Sequence, residues 1–96
     1  MLLTSDDFIP ALGQRFGPGP GETDVSFILV DVTVAATAPA PDHARRPFSL
    51  FLRSEGPAVI EQRIFRLEHA SLGVLDIFLV PLARDGEGVV CEAVFN

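Results

Sequence analysis

The 96-residue chain contains no tryptophan, no tyrosine and no lysine. A core built on its eight phenylalanines carries no ring hydroxyl or indole N–H that needs a partner. The seven basic residues are all arginine, against thirteen acids, for a formal net charge of −6. That balance lacks the broad basic face that nucleic-acid phosphates demand, so no nucleic-acid partner is expected. It also works against an anionic membrane surface. A single cysteine, Cys91, excludes an intrachain disulfide. It sits in an apolar alternation and reads as a small buried hydrophobe, with a reactive thiol or intermolecular bridge as the other reading. No apolar run reaches the ~18 residues of a membrane-crossing helix, so no membrane insertion is expected. Residues 1–30 show no basic stretch leading into an apolar one. Cytoplasmic synthesis follows as the expectation, with leaderless export or incorporation into an extracellular particle as further routes.

Chemistry is scarce in the same way. A nucleophilic mechanism needs a Ser, Thr or Cys within reach of a base that a third group orients. Only His43 and His69 offer an imidazole. His69 has Glu68 beside it and Ser71 two residues on, too close in sequence for three separate, fixed approaches. It reads as a hydrogen-bonded turn residue at a strand end. Zinc sites want cysteine and histidine at short fixed spacings, which one cysteine and two distant histidines do not supply. The thirteen acids follow no calcium-loop pattern. Asp6-Asp7 is better suited to a helix start than to a metal. The expectation is a protein that is not an enzyme and uses no cofactor, with a small enzyme using His69 as the weaker alternative.

What is present is strand pattern. Leu3-Thr4-Ser5-Asp6-Asp7-Phe8 has the marks of a helix start: Thr4 as N-cap, acids in the first turn, Leu3 and Phe8 as a hydrophobic staple. Pro10 keeps that helix short. Gln14–Phe16 suggests a short strand. Gly17-Pro18-Gly19-Pro20-Gly21 reads as a turn or exposed loop, because alternating Gly and Pro is a poor ladder. It is no phosphate cradle, since Glu22 and Asp24 follow and no Lys-Ser/Thr does. Asp24–Val34 is rich in β-branched residues, with Val25, Phe27 and Leu29 on one parity and Val30, Val32 and Val34 on the other. The switch at Leu29-Val30 predicts a bulge or two-sided burial. The 35–47 segment, with three prolines and many small residues, promises no packed element.

Phe48–Ser54 predicts a strand with Phe48, Leu50 and Leu52 inward and Phe51 outward. Ala58–Ile60 suggests a short extended piece. Glu61–Asn96 reads as a three-strand meander. Phe65, Leu67 and His69 share one face, then Leu75, Ile77 and Leu79, then Val89, Cys91, Ala93 and Phe95. Asp85-Gly86-Glu87-Gly88 is a hairpin signal. Pro81 marks an edge or a bulge. Val94–Asn96, ending the chain, is expected to be free for pairing at a sheet edge. The fold class is therefore mainly β: one domain over residues 1–96, a small antiparallel barrel or sandwich of six strands with one short N-terminal helix.

With no catalytic constellation, binding remains. Arg45 and Arg46, with His43, form the one local basic cluster and a candidate contact for an acidic partner; a solvated loop is the other reading. Arg53 and Arg66 fall on strands and, with Glu68, suggest cross-strand ion pairs or an interface. The second apolar parity, above all Phe51, Phe78 and Val80, needs a cover. That cover is a helix or loop, the barrel interior, or a protein partner or second copy. A small ligand inside the barrel is the alternative.

Several of these stretches also resemble a known group. Arg46-Pro47-Phe48-Ser49-Leu50-Phe51-Leu52-Arg53, the stretch from Gln62 through Leu67-Glu68-His69, Leu72-Gly73, Phe78-Leu79-Val80-Pro81 and Glu92-Ala93-Val94-Phe95-Asn96 together are similar to a family of small uncharacterised bacterial proteins. So are Leu3, Asp7-Phe8, Gly13-Gln14 and Phe16. The resemblance spans nearly the whole chain except the Gly-Pro stretch and residues 35–45. Where that family has an aromatic pair in its fourth and sixth strands, this chain has Phe65 and Cys91. Members are often encoded beside phage-tail-collar-like proteins, so the resemblance implies a small structural or accessory component and carries no catalytic residues with it.

Overall fold

A computed structural model describes residues 3–36, 46–56 and 59–96. A helical turn, α1 (Ser5–Phe8), leads into a 3₁₀ turn at Ile9–Ala11. Six strands follow: β1 (Arg15–Pro18), β2 (Phe27–Val34), β3 (Phe48–Ser54), β4 (Arg63–His69), β5 (Gly73–Asp85) and β6 (Gly88–Phe95). They close into a ring in the order β1-β2-β3-β6-β5-β4, and every neighbouring pair is antiparallel. His43, Arg45 and Ala58 lie outside the described residues, and Val59 and Ile60 belong to no strand.

Period-two alternation sets the inside of the ring. Phe27, Leu29, Leu50, Leu52, Leu67, Leu79 and Cys91 are wholly excluded from solvent, and Phe48, Phe65, Ile77 and Ala93 nearly so. The helical turn plugs one end. Thr4 takes the N-cap position as expected but makes no side-chain cap bond; instead the Asp7 carboxylate accepts the Thr4 N–H at 2.7 Å. Phe8 is thereby set against Phe48 and Phe95, with ring centroids 5.9 and 5.6 Å away, while those two rings stack at 4.8 Å. Further along, Phe27 meets Phe65 edge-on at 5.4 Å. Rings without polar atoms pack this way at no hydrogen-bonding cost.

Two bulges re-aim side chains. The β2–β3 register slips between Leu29 and Asp31, at the position where the parity switch predicts it. Val30 turns outward and Val32 packs back on the core. The β5–β6 register slips between Pro81 and Ala83, so Pro81 marks a bulge between paired strands. Val94 and Phe95 pair with Ser49 and Phe48 on β3, while the pairing of β6 with β5 spans Gly88–Glu92. The last strand lies inside the ring, with β5 beside Gly88–Glu92 and β3 beside Val90–Phe95.

The Gly-Pro stretch also departs from expectation. Gly17 and Pro18 are ladder residues, opposite Glu68 and Leu67 of β4, and they complete the ring. Gly19 extends the contact by donating its N–H to the Arg66 carbonyl at 2.9 Å. A Cβ on Gly19 would sit 2.9 Å from Arg66 Cγ and 3.1 Å from its carbonyl oxygen, so only glycine comes this close. Glu22 finishes the seam. Its carboxylate accepts the Arg66 N–H at 2.9 Å and binds Arg63 through two 2.9 Å bonds.

The hairpin after β5 is equally tight. A Cβ on Gly88 would overlap the Ser54 carbonyl oxygen and lie 3.2 Å from Ser54 Oγ. That hydroxyl accepts the Val89 N–H at 2.9 Å. Around Gly86 there is open space. Gly88→Ala should cost more than ~2 kcal/mol of stability in urea unfolding, whereas Gly86→Ala should stay within ~0.5 kcal/mol.

The seam generates a pH-linked expectation. The hydrogen bond from Arg63 lowers the Glu22 carboxyl below its ordinary value, and the Arg66 N–H adds to this. A lowered folded value means stability that is complete above the ordinary carboxylate range and is lost as pH falls through the lowered value. Glu22→Ala should cost ~1 to 2 kcal/mol in urea unfolding at neutral pH, with the difference from the parent shrinking in acid.

Candidate functional site

His69 ends β4 and is only 5% exposed. Its Nδ1 accepts the N–H groups of Ser71 at 3.1 Å and Leu72 at 3.2 Å. Nε2 therefore carries the proton and donates it to Gln14 Oε1 at 2.6 Å. The ring stacks on Phe16 at 4.7 Å. Both nitrogens are committed, one to the β4–β5 turn and the other to the segment entering β1. The imidazole is a strut between two parts of the chain, as the turn reading expects. Ser71 approaches it only through its backbone. Cys91 is fully buried, and burial pushes its thiol up to about 11. A thiol in that setting is a poor nucleophile. Among the described residues, no three of His, Cys, Asp and Glu gather as a metal site would require.

The arginines are distributed around the ring. Arg66 pairs with Asp76, its cross-strand neighbour on β5, at 2.9 Å. Arg53 reaches Asp85 at 2.9 Å and Glu87 at 3.5 Å. Neither uses Glu68, which lies opposite Val74. For Arg66 the directly opposite residue is nearer than the next one along the same strand, so register chooses its partner. These are exposed pairs worth little stability each. Arg46 is exposed and donates to the Ala35 carbonyl at 3.4 Å.

The apolar candidates do face outward. Phe78 is 50% exposed, while Val80 and Phe51 are half-buried. Phe78 stands directly opposite Ile64 on β4, itself 60% exposed, and Val80 follows it on the same face of β5. Phe51 is not beside them. Glu92 on β6 separates it from Val80. Ile64 and Glu92 complete the surface and were not singled out by sequence reasoning. Ile64 shares the outward parity of Arg66 and Glu68, and the β4–β5 hairpin register identifies its partner. Glu92 requires knowing that β6 lies between β3 and β5.

A surface cleft of ≈ 510 Å³ lies elsewhere, lined by Arg15, Pro18, Asp24, Val25, Ser26, Glu55 and Gly56. Its polar groups largely satisfy one another. Glu55 accepts from Arg15 at 2.9 Å and from Ser26 Oγ at 2.7 Å. Those two donors lower the Glu55 carboxyl, the Ser26 bond most. Among the described residues no helix is long and apolar enough to cross a membrane.

The His69 strut has two consequences in solution. Long-range proton–nitrogen spectra should show the tautomer with its proton on Nε2. His69→Ala should lose ~2 to 3 kcal/mol in urea unfolding, since it strips three hydrogen bonds and a ring contact.

Comparison with known proteins bears on the chain as a whole. No curated protein and no solved structure matches it. A family model does, over residues 3–95, so the match takes in all six strands, the helical turn and the seam. The chain belongs to that family, the domain of unknown function DUF6916.

Proposed function

We propose that this barrel is a non-catalytic interaction module, a structural or accessory component that docks on another protein through the outer face of β4 and β5. The observation that carries the reading is the Ile64–Phe78 pair. Two large apolar side chains, 60% and 50% exposed, stand opposite each other on a paired sheet and continue into Val80. Burying such a pair returns about 25 cal/mol per Å² of apolar area, so a cover there is favoured. The resemblance to small bacterial proteins encoded beside tail-collar-like proteins suggests the kind of partner, a fibre or tail-collar-like protein. Cytoplasmic synthesis followed by incorporation into such a particle fits this role.

Two other readings receive less support. A ligand inside the barrel competes with Phe27, Leu29, Leu50, Leu52, Phe65, Leu67 and Leu79, which already fill it. Base catalysis by His69 competes with the three hydrogen bonds that hold both its nitrogens.

Size-exclusion chromatography with and without the product of the neighbouring gene is the test. Co-elution is expected, and Ile64→Ser with Phe78→Ser should abolish it while each shifts folding stability by only ~0.5 kcal/mol, as exposed positions do. A strict monomer that never co-elutes would overturn the proposal.

A further inference from the structure

We infer that the outer face of β3, β6 and β5 takes its partner through one arginine or lysine side chain seated on Glu92. This deepens the interaction-module reading and rests on it. Glu92 points outward from the middle of β6. Phe51 on β3 and Val80 on β5 stand directly opposite it on either side. Val90 and Val94 flank it two residues away on the same strand, on the same face. The carboxylate is thus the centre of a ring of four apolar side chains. It is itself half-buried, as are Phe51, Val80 and Val90.

The Glu92 carboxylate makes no hydrogen bond or ion pair with any described residue, unlike several acids around the barrel. Glu22, Glu55, Asp76 and Asp85 each hold an arginine at 2.9 Å. Arg53, whose cross-strand neighbour is Val90, has its guanidinium turned to Asp85 and Glu87. The barrel matches those charges internally and leaves this one open.

An open carboxylate inside an apolar ring selects its cover. A flat apolar partner would strip the remaining water from Glu92 and leave a charge without a counter-charge, which is costly. A partner carrying a cation at that point gains the pair, and the apolar ring keeps water out of it. The same group therefore attracts one class of surface and rejects the others. A net charge of −6 steers basic partners inward and works against a second copy of the chain. The occupant is accordingly a different protein, with an apolar docking surface and an arginine or lysine at its centre.

Fluorescently labelled, end-capped peptides of the form Leu-Val-X-Val-Leu provide the probe, with X as arginine, lysine, glutamine or glutamate. Polarisation should rank arginine and lysine first and glutamate last, with arginine ~10-fold tighter than glutamine. Glu92→Gln, outward-facing and nearly isosteric, should leave the melting temperature unchanged and reduce that preference to about twofold or less. Phe78→Ser should weaken all four peptides alike. Four peptides that bind the parent equally would overturn the role of Glu92 and leave the docking face standing. No binding by any of them at millimolar peptide would overturn both. A dimer in sedimentation that Glu92→Gln dissociates would give the face to a second copy and overturn the assignment to a different protein.

Discussion

Closure of the ring rests on a strand of four residues. β1 gives Arg15 and Phe16 to β2 and Gly17 and Pro18 to β4, so each half of it serves a different neighbour. Without that hand-over, β2 and β4 would both present open ladders, and Phe27, Phe65 and Leu67 behind them would meet water. The seam holds because three kinds of contact act at one place. Backbone pairing ends at the Gly19 N–H, the missing side chain of Gly19 allows the chains to touch, and the Glu22 carboxylate stands in for the next carbonyl that β4 expects. His69 braces the other end of β4 by holding Gln14 just before β1 begins. Neither polar group is spare: each satisfies a donor or acceptor that closure would otherwise bury or abandon.

This seam is also where sequence pattern is least informative. The rule against Pro in a ladder concerns strands that must donate on both sides. Gly19 donates to β4, so by alternation the nitrogen of Pro18 faces away from β4, toward the side that β2 has already left. No donor is missed there. The inward rows of β3, β4, β5 and β6 were legible, because burial on one face imprints strict alternation. So was the bulge in β2, because an extra residue must switch the parity of the residues beyond it. Strand order left no such imprint. The end of the chain reads as unpaired until β3 is found beside β6, and nothing local to Val94–Asn96 records that.

The candidate site divides along the same line. That Phe51, Phe78 and Val80 point outward follows from parity, which needs only one strand at a time. That Ile64 joins Phe78, that Asp76 takes Arg66, and that Glu92 stands between Phe51 and Val80 depends on register between strands. Register is fixed by hairpin length for β4–β5 and β5–β6 and by ring closure for β3–β6. His69 shows the converse. Its neighbours Glu68 and Ser71 resemble catalytic company when taken by residue type, yet the turn uses Ser71 for its N–H and points Glu68 to the outer face.

The manner in which the open edges are treated separates two modes of binding. Beyond the seam, β4 presents ladder groups with no strand beside them. Its Ile64 carbonyl is taken by the Arg63 guanidinium at 2.9 Å and its Arg66 N–H by Glu22. On β2, past the reach of β1, the Asp31 carboxylate caps the Val32 N–H at 2.9 Å. Charged side chains laid over edge groups oppose strand addition, because an incoming strand must first displace them. A partner that adds a strand would therefore compete with the bonds that close the barrel. A partner that lies across the outer face displaces nothing but water, covers Ile64 and Phe78, and meets in Glu92 a carboxylate whose counter-charge the barrel does not itself provide. The β2 and β4 edges are guarded and the face is not, and that asymmetry favours the face over the edges for the docking proposed above.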